Sequence, residues 1–212
     1  MNNIEIMLKD SKNIQTFSKN YFGYLFRVAE RLDMDAVAAF AVEMEEARQN
    51  SNTVFCVGNG GSAATASHMA NDFGTDIQKR TKTDLPLRVL SLTDNAAVIL
   101  AVANDVGYDN IFVKQLEIHY RPGDKLIAVS ASGNSSNVVA AAKWVKSQEG
   151  KVMSFTGFAG GELKEISDIT IHVNTDKGEY GPVEDIHLIM GHLLSYWMQY
   201  QIHKNEKAVC VN

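Results

Sequence analysis

The segment Thr53-Val54-Phe55-Cys56-Val57-Gly58-Asn59-Gly60-Gly61-Ser62 joins a run of β-favouring apolar side chains to a glycine-rich turn, and helical spacing follows at once. Such an apolar run reads as a buried strand that feeds a helix. The same pattern recurs downstream. Segments 87–92, 125–130, 151–156 and 169–173 are further strand candidates, and segments 62–73, 95–118, 134–148 and 160–167 read as helices between them. Crossovers through helices imply parallel strands with right-handed connections. The expected class is α/β: a doubly wound five-stranded parallel sheet flanked by helices.

Ahead of the first strand, residues 13–49 carry apolar positions at helical spacing (Tyr21, Tyr24, Leu25, Val28, Leu32, then Val37, Phe40, Ala41, Met44), broken near Asp33. Two tandem helices are expected there, within an amino-terminal extension over 1–50. After the last strand, residues 183–202 form a helix whose face of Ile186, Ile189, Met190, Leu193, Leu194 and Trp197 is too apolar to stand in water. It must pack on its own sheet, on a partner subunit, or on both. The expected organisation is one domain over 1–212, with 51–205 forming the α/β core and its carboxy-terminal helix.

The composition narrows the functional classes. With 20 Lys and Arg against 25 Asp and Glu, a net charge of -5 and no basic cluster, the chain lacks the footprint of a nucleic-acid binder. No apolar run is long enough to span a bilayer and the amino terminus lacks a signal-peptide layout, so a cytoplasmic protein is expected. Cys56 reads as a buried free thiol, and with Cys210 in a polar tail the two make neither a disulfide framework nor a zinc knuckle.

Two turns at strand ends carry anion-binding chemistry. At Gly58-Asn59-Gly60-Gly61-Ser62 the glycines let backbone approach an anion, and the following helix offers unpaired N–H groups; a tight turn with no ligand would look the same. The second turn, Ser130-Ala131-Ser132-Gly133-Asn134-Ser135-Ser136, is more specific. Hydroxyls of Ser130, Ser132 and Ser135 with amides near Gly133 could satisfy one phosphate monoester without Lys or Arg, whereas helix capping would need only one of them.

Two helices add titratable groups. His68 and Asp72 share a face at i,i+4, a spacing that a solvated polar pair would show as well. On the last helix, His192 follows Glu184 by eight residues, about 12 Å along the axis. If the helices meet, His68, Asp72, Glu184 and His192 offer nitrogen and oxygen donors suited to zinc. His187, five residues before His192, points elsewhere.

Taken in order along the chain, the Gly58–Ser62 turn, the helix with His68, the Ala103-Asn104-Asp105 step, the Ser130–Ser135 turn, Thr156-Gly157 with Gly160-Gly161, and the Glu184-Asp185-Ile186-His187 to His192 helix resemble the SIS domain family, and within it the phosphoheptose isomerases. The resemblance covers nearly the whole chain. It implies conversion of sedoheptulose 7-phosphate into glycero-manno-heptose 7-phosphate, the entry to heptose for lipopolysaccharide or capsule, by a homotetramer with shared active sites and often zinc. It also implies a phosphate cradle at Ser62, Ser130, Ser132 and Ser135, a sugar lining of Asn59, Gly60, Gly61, Ala131, Asn104 and Asp105, and metal and acid–base roles for His68, Asp72, Glu184 and His192.

Two positions depart from the family pattern, which usually has Glu at Asp72 and Gln at Glu184, so the carboxylate roles could be exchanged. A third family acid falls on Gly181, with Glu179 as its nearest substitute. The expected mechanism has Asp72 or Glu184 as base and His192 as acid in an aldose–ketose isomerisation. The competing readings are an isomerase for another ketose phosphate and a noncatalytic SIS adaptor like the replication-initiator-associating relatives.

Overall fold

The computed structural model describes residues 1–209; Cys210 lies outside the described residues. Five strands form one parallel sheet: β1 Thr53–Gly58, β2 Arg88–Ser91, β3 Lys125–Ser130, β4 Lys151–Gly157 and β5 Ile169–Val173. Their order is β2-β1-β3-β4-β5. The chain thus steps from β1 outward to β2, then returns to the other side of β1 for β3. That reversal makes a topological switch point between β1 and β3, where Gly58 lies in register with Val129.

Alternate side chains of the central strands feed two cores. Val54, Cys56, Ile127 and Val129 face one layer, and Phe55, Val57, Leu126 and Ala128 face the other. Burial on both faces is why these strands read as unbroken apolar runs. The first layer is covered by α2 (Ile14–Ala29), α3 (Met34–Gln49), α4 (Gly61–Ala70) and α10 (Tyr180–Val209). The second is covered mainly by α7 (Val113–His119), α8 (Ser136–Ser147) and α9 (Gly161–Ile166), with α6 (Ala96–Asp105) at its margin. Cys56 is fully buried and unpaired, and burial raises its thiol well above the usual range.

Three sequence expectations need revision. An additional helix, α1 (Asn3–Asp10), precedes the expected pair; none of its residues is buried, so periodicity gave it little weight. Ile4 and Met7 pack partly buried against the first core, and polar contacts fix the helix there. The Asn3 backbone N–H donates to Glu179 Oε1 at 2.6 Å, and the Tyr24 hydroxyl donates to the other oxygen of that carboxylate. Segment 95–118 is not one helix, because it breaks at Val106–Gly107 into α6, a 3-10 turn at Tyr108–Asn110 and α7. Finally, α4 does not stop near residue 73 but runs through a π-helical turn, Asn71–Asp76, into α5 (Ile77–Thr81).

Candidate active site

Both anion turns lie at the switch point, at the carboxyl ends of neighbouring strands. Gly60 precedes α4 with φ +53, and α4 starts with no side-chain cap. A Cβ on Gly58 would come within 2.5 Å of the Ser62 carbonyl, so only glycine lets the strand turn this tightly into the helix. Ser62 is buried and its hydroxyl has no hydrogen bond among the described residues. At the second turn, Gly133 has φ +65, and a Cβ there would meet the Gly160 carbonyl at 1.7 Å. The turns after β3 and β4 are therefore stacked backbone on backbone.

Ser135 stands at the N-cap position of α8 but does not cap it. Its hydroxyl lies 3.1 Å from that of Ser130, which is 3.5 Å from that of Ser132. The Gly133 and Asn134 amides donate to Ser130 and Ser132 at 3.2 Å each. By contrast α1, α2, α3 and α6 are each capped by a side chain, from Asn2, Asn13, Asp33 and Asn95. α4 and α8, like α5, α7 and α9, carry no side-chain cap, and at the switch point this leaves first-turn N–H groups available to an anion.

Other expected lining residues are placed less directly. Asn59 is engaged in a reciprocal amide pair with the fully buried Asn137, at 2.8 and 2.9 Å, and also accepts from the Tyr108 hydroxyl at 3.0 Å. Asn137 thus joins the two turns; a polar residue in the first turn of an otherwise largely apolar helix was its only sequence signal. Ala131 is buried under the second turn. Asn104 and Asp105 end α6 in the open, paired with each other at 2.7 Å.

The helices expected to carry titratable groups do meet. On α10, Gly191 faces α4 so closely that a Cβ would lie 3.2 Å from the Met69 side chain, and the next residue, His192, reaches across to His68. Their Nε2 atoms are 2.9 Å apart. Asp72 Oδ2 lies 3.2 Å from His68 Nε2 and 3.6 Å from His192 Nε2. The Asp72 side chain is largely enclosed, at 14% exposure, while both rings remain open to solvent at 46% and 45%.

These three donors all fall within 4.8 Å of one another. Around a tetrahedral zinc with bonds near 2.0–2.1 Å, donors stand about 3.3 Å apart, so the observed 2.9, 3.2 and 3.6 Å fit one divalent cation. Glu184, considered as a fourth donor, is not among them. Two turns back along α10, its carboxylate hangs over Gly61, where a Cβ would be 2.2 Å from Oε2. Burial, with Asp185 beside it, raises its pKa.

The remaining histidine of the motif is structural. His187 is fully buried, its Nε2 lies 3.1 Å from the Thr156 carbonyl, and its ring stacks edge-on to Phe155. Burial lowers its pKa to about 4. His172 finds a partner in the Thr156 hydroxyl at 3.0 Å. Glu179, the substitute suggested for a family acid at Gly181, is instead buried in the Asn3–Tyr24 contact, while Gly181 faces the Tyr21 hydroxyl.

Known proteins share this fold. The model of the SIS domain family matches residues 19–157. A probable phosphoheptose isomerase of Thermoplasma acidophilum is 33% identical over 177 residues, 84% of this chain and 94% of that one. The phosphoheptose isomerase of Rhodospirillum rubrum is 39% identical over 148 residues, 69% and 75% of the two chains. The structure of phosphoheptose isomerase GmhA from Neisseria gonorrhoeae superposes with a TM-score of 0.79 at 26% identity, covering 89% of this chain and all of the other. The family model over residues 19–157 and relatives that match over most of both lengths place this chain in the SIS domain family, among its phosphoheptose isomerases.

Proposed function

We propose that this sugar-phosphate isomerase acts on sedoheptulose 7-phosphate, giving D-glycero-D-manno-heptose 7-phosphate for heptose biosynthesis, as a cytoplasmic homo-oligomer. The observation that carries the reading is the spacing between its two halves. Ser62 and His68 are six residues apart on α4, about 9 Å along the axis. From phosphorus to C1 of a heptulose 7-phosphate there are eight bonds, and an extended chain advances about 1.2 Å per bond, or roughly 9–10 Å. A phosphate held at Ser62, Ser130, Ser132 and Ser135 therefore brings C1 and C2 to the His68–Asp72–His192 cluster.

Ketose-to-aldose conversion removes a proton from C1 of the open chain, passes through an enediol, and returns a proton to C2. Asp72 is the base in this reading. Its Oδ2 faces the histidines, while Oδ1 accepts only a 3.3 Å contact from Asn71 Nδ2 and can face the substrate. His192 supplies the acid at the carbonyl oxygen when no cation is bound. His68, Asp72 and His192 would hold a divalent cation such as zinc, which supplies Lewis-acid polarisation of the carbonyl and charge stabilisation of the enediolate. Glu184, at the phosphate end of this span, orients sugar hydroxyls rather than moving the proton.

The exposed side of α10 supports the oligomer. Ile189, Leu193, Tyr196, Trp197 and Tyr200 form one apolar stripe there, more than a free helix leaves in water. Among the described residues no helix is long and apolar enough to cross a membrane.

Turnover of sedoheptulose 7-phosphate by the purified protein, with and without added zinc, tests the reading together with Asp72→Ala, Glu184→Ala and His192→Ala. Aldoheptose phosphate formed by the wild type and abolished in His192→Ala is the expected result, with Asp72→Ala far more damaging than Glu184→Ala. A folded protein that binds the sugar phosphate but yields no product under either condition would move the assignment to another ketose phosphate or to an adaptor.

A further inference from the structure

We propose that Ser195 is a positioning residue: it pins the π-helical turn Asn71–Asp76 against α10, and this turn aims Asp72 at His68 and His192. The inference rests on the cluster being the working site. A π turn inserts an extra residue into the helical ladder and is found mostly as a short interruption at functional positions. Here the Ile77 amide bonds back to the Asp72 carbonyl, five residues earlier. The local sequence makes the interruption cheap, because Asn71, Asp72, Gly74 and Thr75 are all weak helix formers.

The same Asp72 carbonyl receives a second donor from outside its own helix. The Ser195 hydroxyl, buried on α10, lies 3.3 Å from it. A serine inside a helix ordinarily bonds back to its own carbonyl one turn earlier or points to solvent, and Ser195 does neither. Gln199 Nε2 donates to the Ser195 oxygen at 3.2 Å, which leaves the hydroxyl proton free for Asp72. One turn away, Gly191 and Met69 let the two helices close. Three successive contacts therefore run along the α4–α10 seam: Glu184 over Gly61, His192 on His68, and Ser195 on Asp72.

The seam explains how a short carboxylate meets two rings on different helices. The single methylene of aspartate gives it little reach, so the backbone itself has to be placed, and the group that places it comes from the helix bearing His192. Such outer partners of metal-binding side chains typically change affinity by 10–100-fold when removed.

Cobalt(II) titration of the metal-free protein, followed by visible absorption, provides a readout independent of turnover. Ser195→Ala is expected to weaken cobalt binding roughly 10- to 100-fold, and Ser195→Thr, which keeps the hydroxyl, to restore it to within a few-fold. Met198→Ala removes a buried core side chain on the same helix that takes no part in the hydrogen bonds to Asp72, and should lower thermal stability while leaving cobalt affinity unchanged. Gln199→Leu asks the same question at a partly exposed position should Ser195→Ala fail to fold, and about threefold weaker binding is expected from it. Cobalt binding in Ser195→Ala as tight as in the wild type, or Met198→Ala weakening it equally, overturns the inference while the cation site stands. Failure of the wild type itself to take up cobalt overturns both.

Discussion

At the amino-terminal ends of β1, β3 and β4, charges are matched one to another. Asp124 accepts the Thr53 and Arg121 amides at 2.7 and 2.8 Å, and Asp168 accepts the Val152 amide at 2.8 Å and Lys146 at 2.6 Å. Lys125, almost fully buried, lies between Glu43 and Glu46, and Glu43 also reaches Lys151 at 3.3 Å. At the carboxyl ends of β1 and β3 the reverse holds: the helices start uncapped, the Ser62 hydroxyl has no hydrogen bond among the described residues, and three serine hydroxyls are turned toward one another. Helix N–H groups and hydroxyls that are not committed to a cap remain available to a ligand. One end of the sheet is spent on stability, and the other is the end proposed for binding.

Substitutions at the two ends should therefore fail in different assays, and the largest effect should come from the binding end. His192→Ala is expected to lower kcat about 10³-fold with sedoheptulose 7-phosphate, with thermal stability nearly unchanged because the ring is half exposed. A comparable loss of stability would erase the contrast. At the closed end, Lys125→Ala leaves two carboxylates without their buried partner and should cost about 3 kcal/mol in urea unfolding, with KM unaltered.

His187 sharpens the comparison from between the two ends. Its pKa is held near 4 in the fold, below the value of about 6.5 in an unfolded chain, so the unfolded state binds the extra proton first. Its contribution is fully present above pH 6.5 and is lost as pH falls toward 4, reaching about 3 kcal/mol at the bottom of that window. Urea unfolding at pH 7, 5.5 and 4.5 should show a shallower decline for His187→Gln than for the wild type. Smallest is Ser135→Ala. An N-cap serine that capped would cost about 1 kcal/mol of stability when removed; this one does not cap, so an approximately tenfold rise in KM with little change in stability is expected.

The strands were legible because parallel strands with both faces buried must be apolar throughout, and segments 125–130 and 169–173 match their observed bounds. The edge strand β2, with two of its four residues exposed, is shorter than its apolar run. What sequence could not supply was strand order, and with it the fact that Gly58 and Val129 are neighbours. That adjacency joins the two anion turns. The i,i+4 pair His68 and Asp72 was legible, but the third donor, His192, meets them across 124 positions from His68, which no local pattern encodes. Asn137 and Ser195 were missed for a related reason: each is a small polar residue inside a helix, and its meaning lies in the partner it meets.

The same separation has a consequence for synthesis. A ribosome adding 5–20 residues per second delivers His192 roughly 6–25 s after His68. During that interval the sheet can assemble, since β5 ends at Val173, but Met69 and Phe73 still lack the helix that will cover them. The nascent chain thus carries a nearly complete fold with an inactive centre and an apolar scar, and both are repaired by the last helix to emerge.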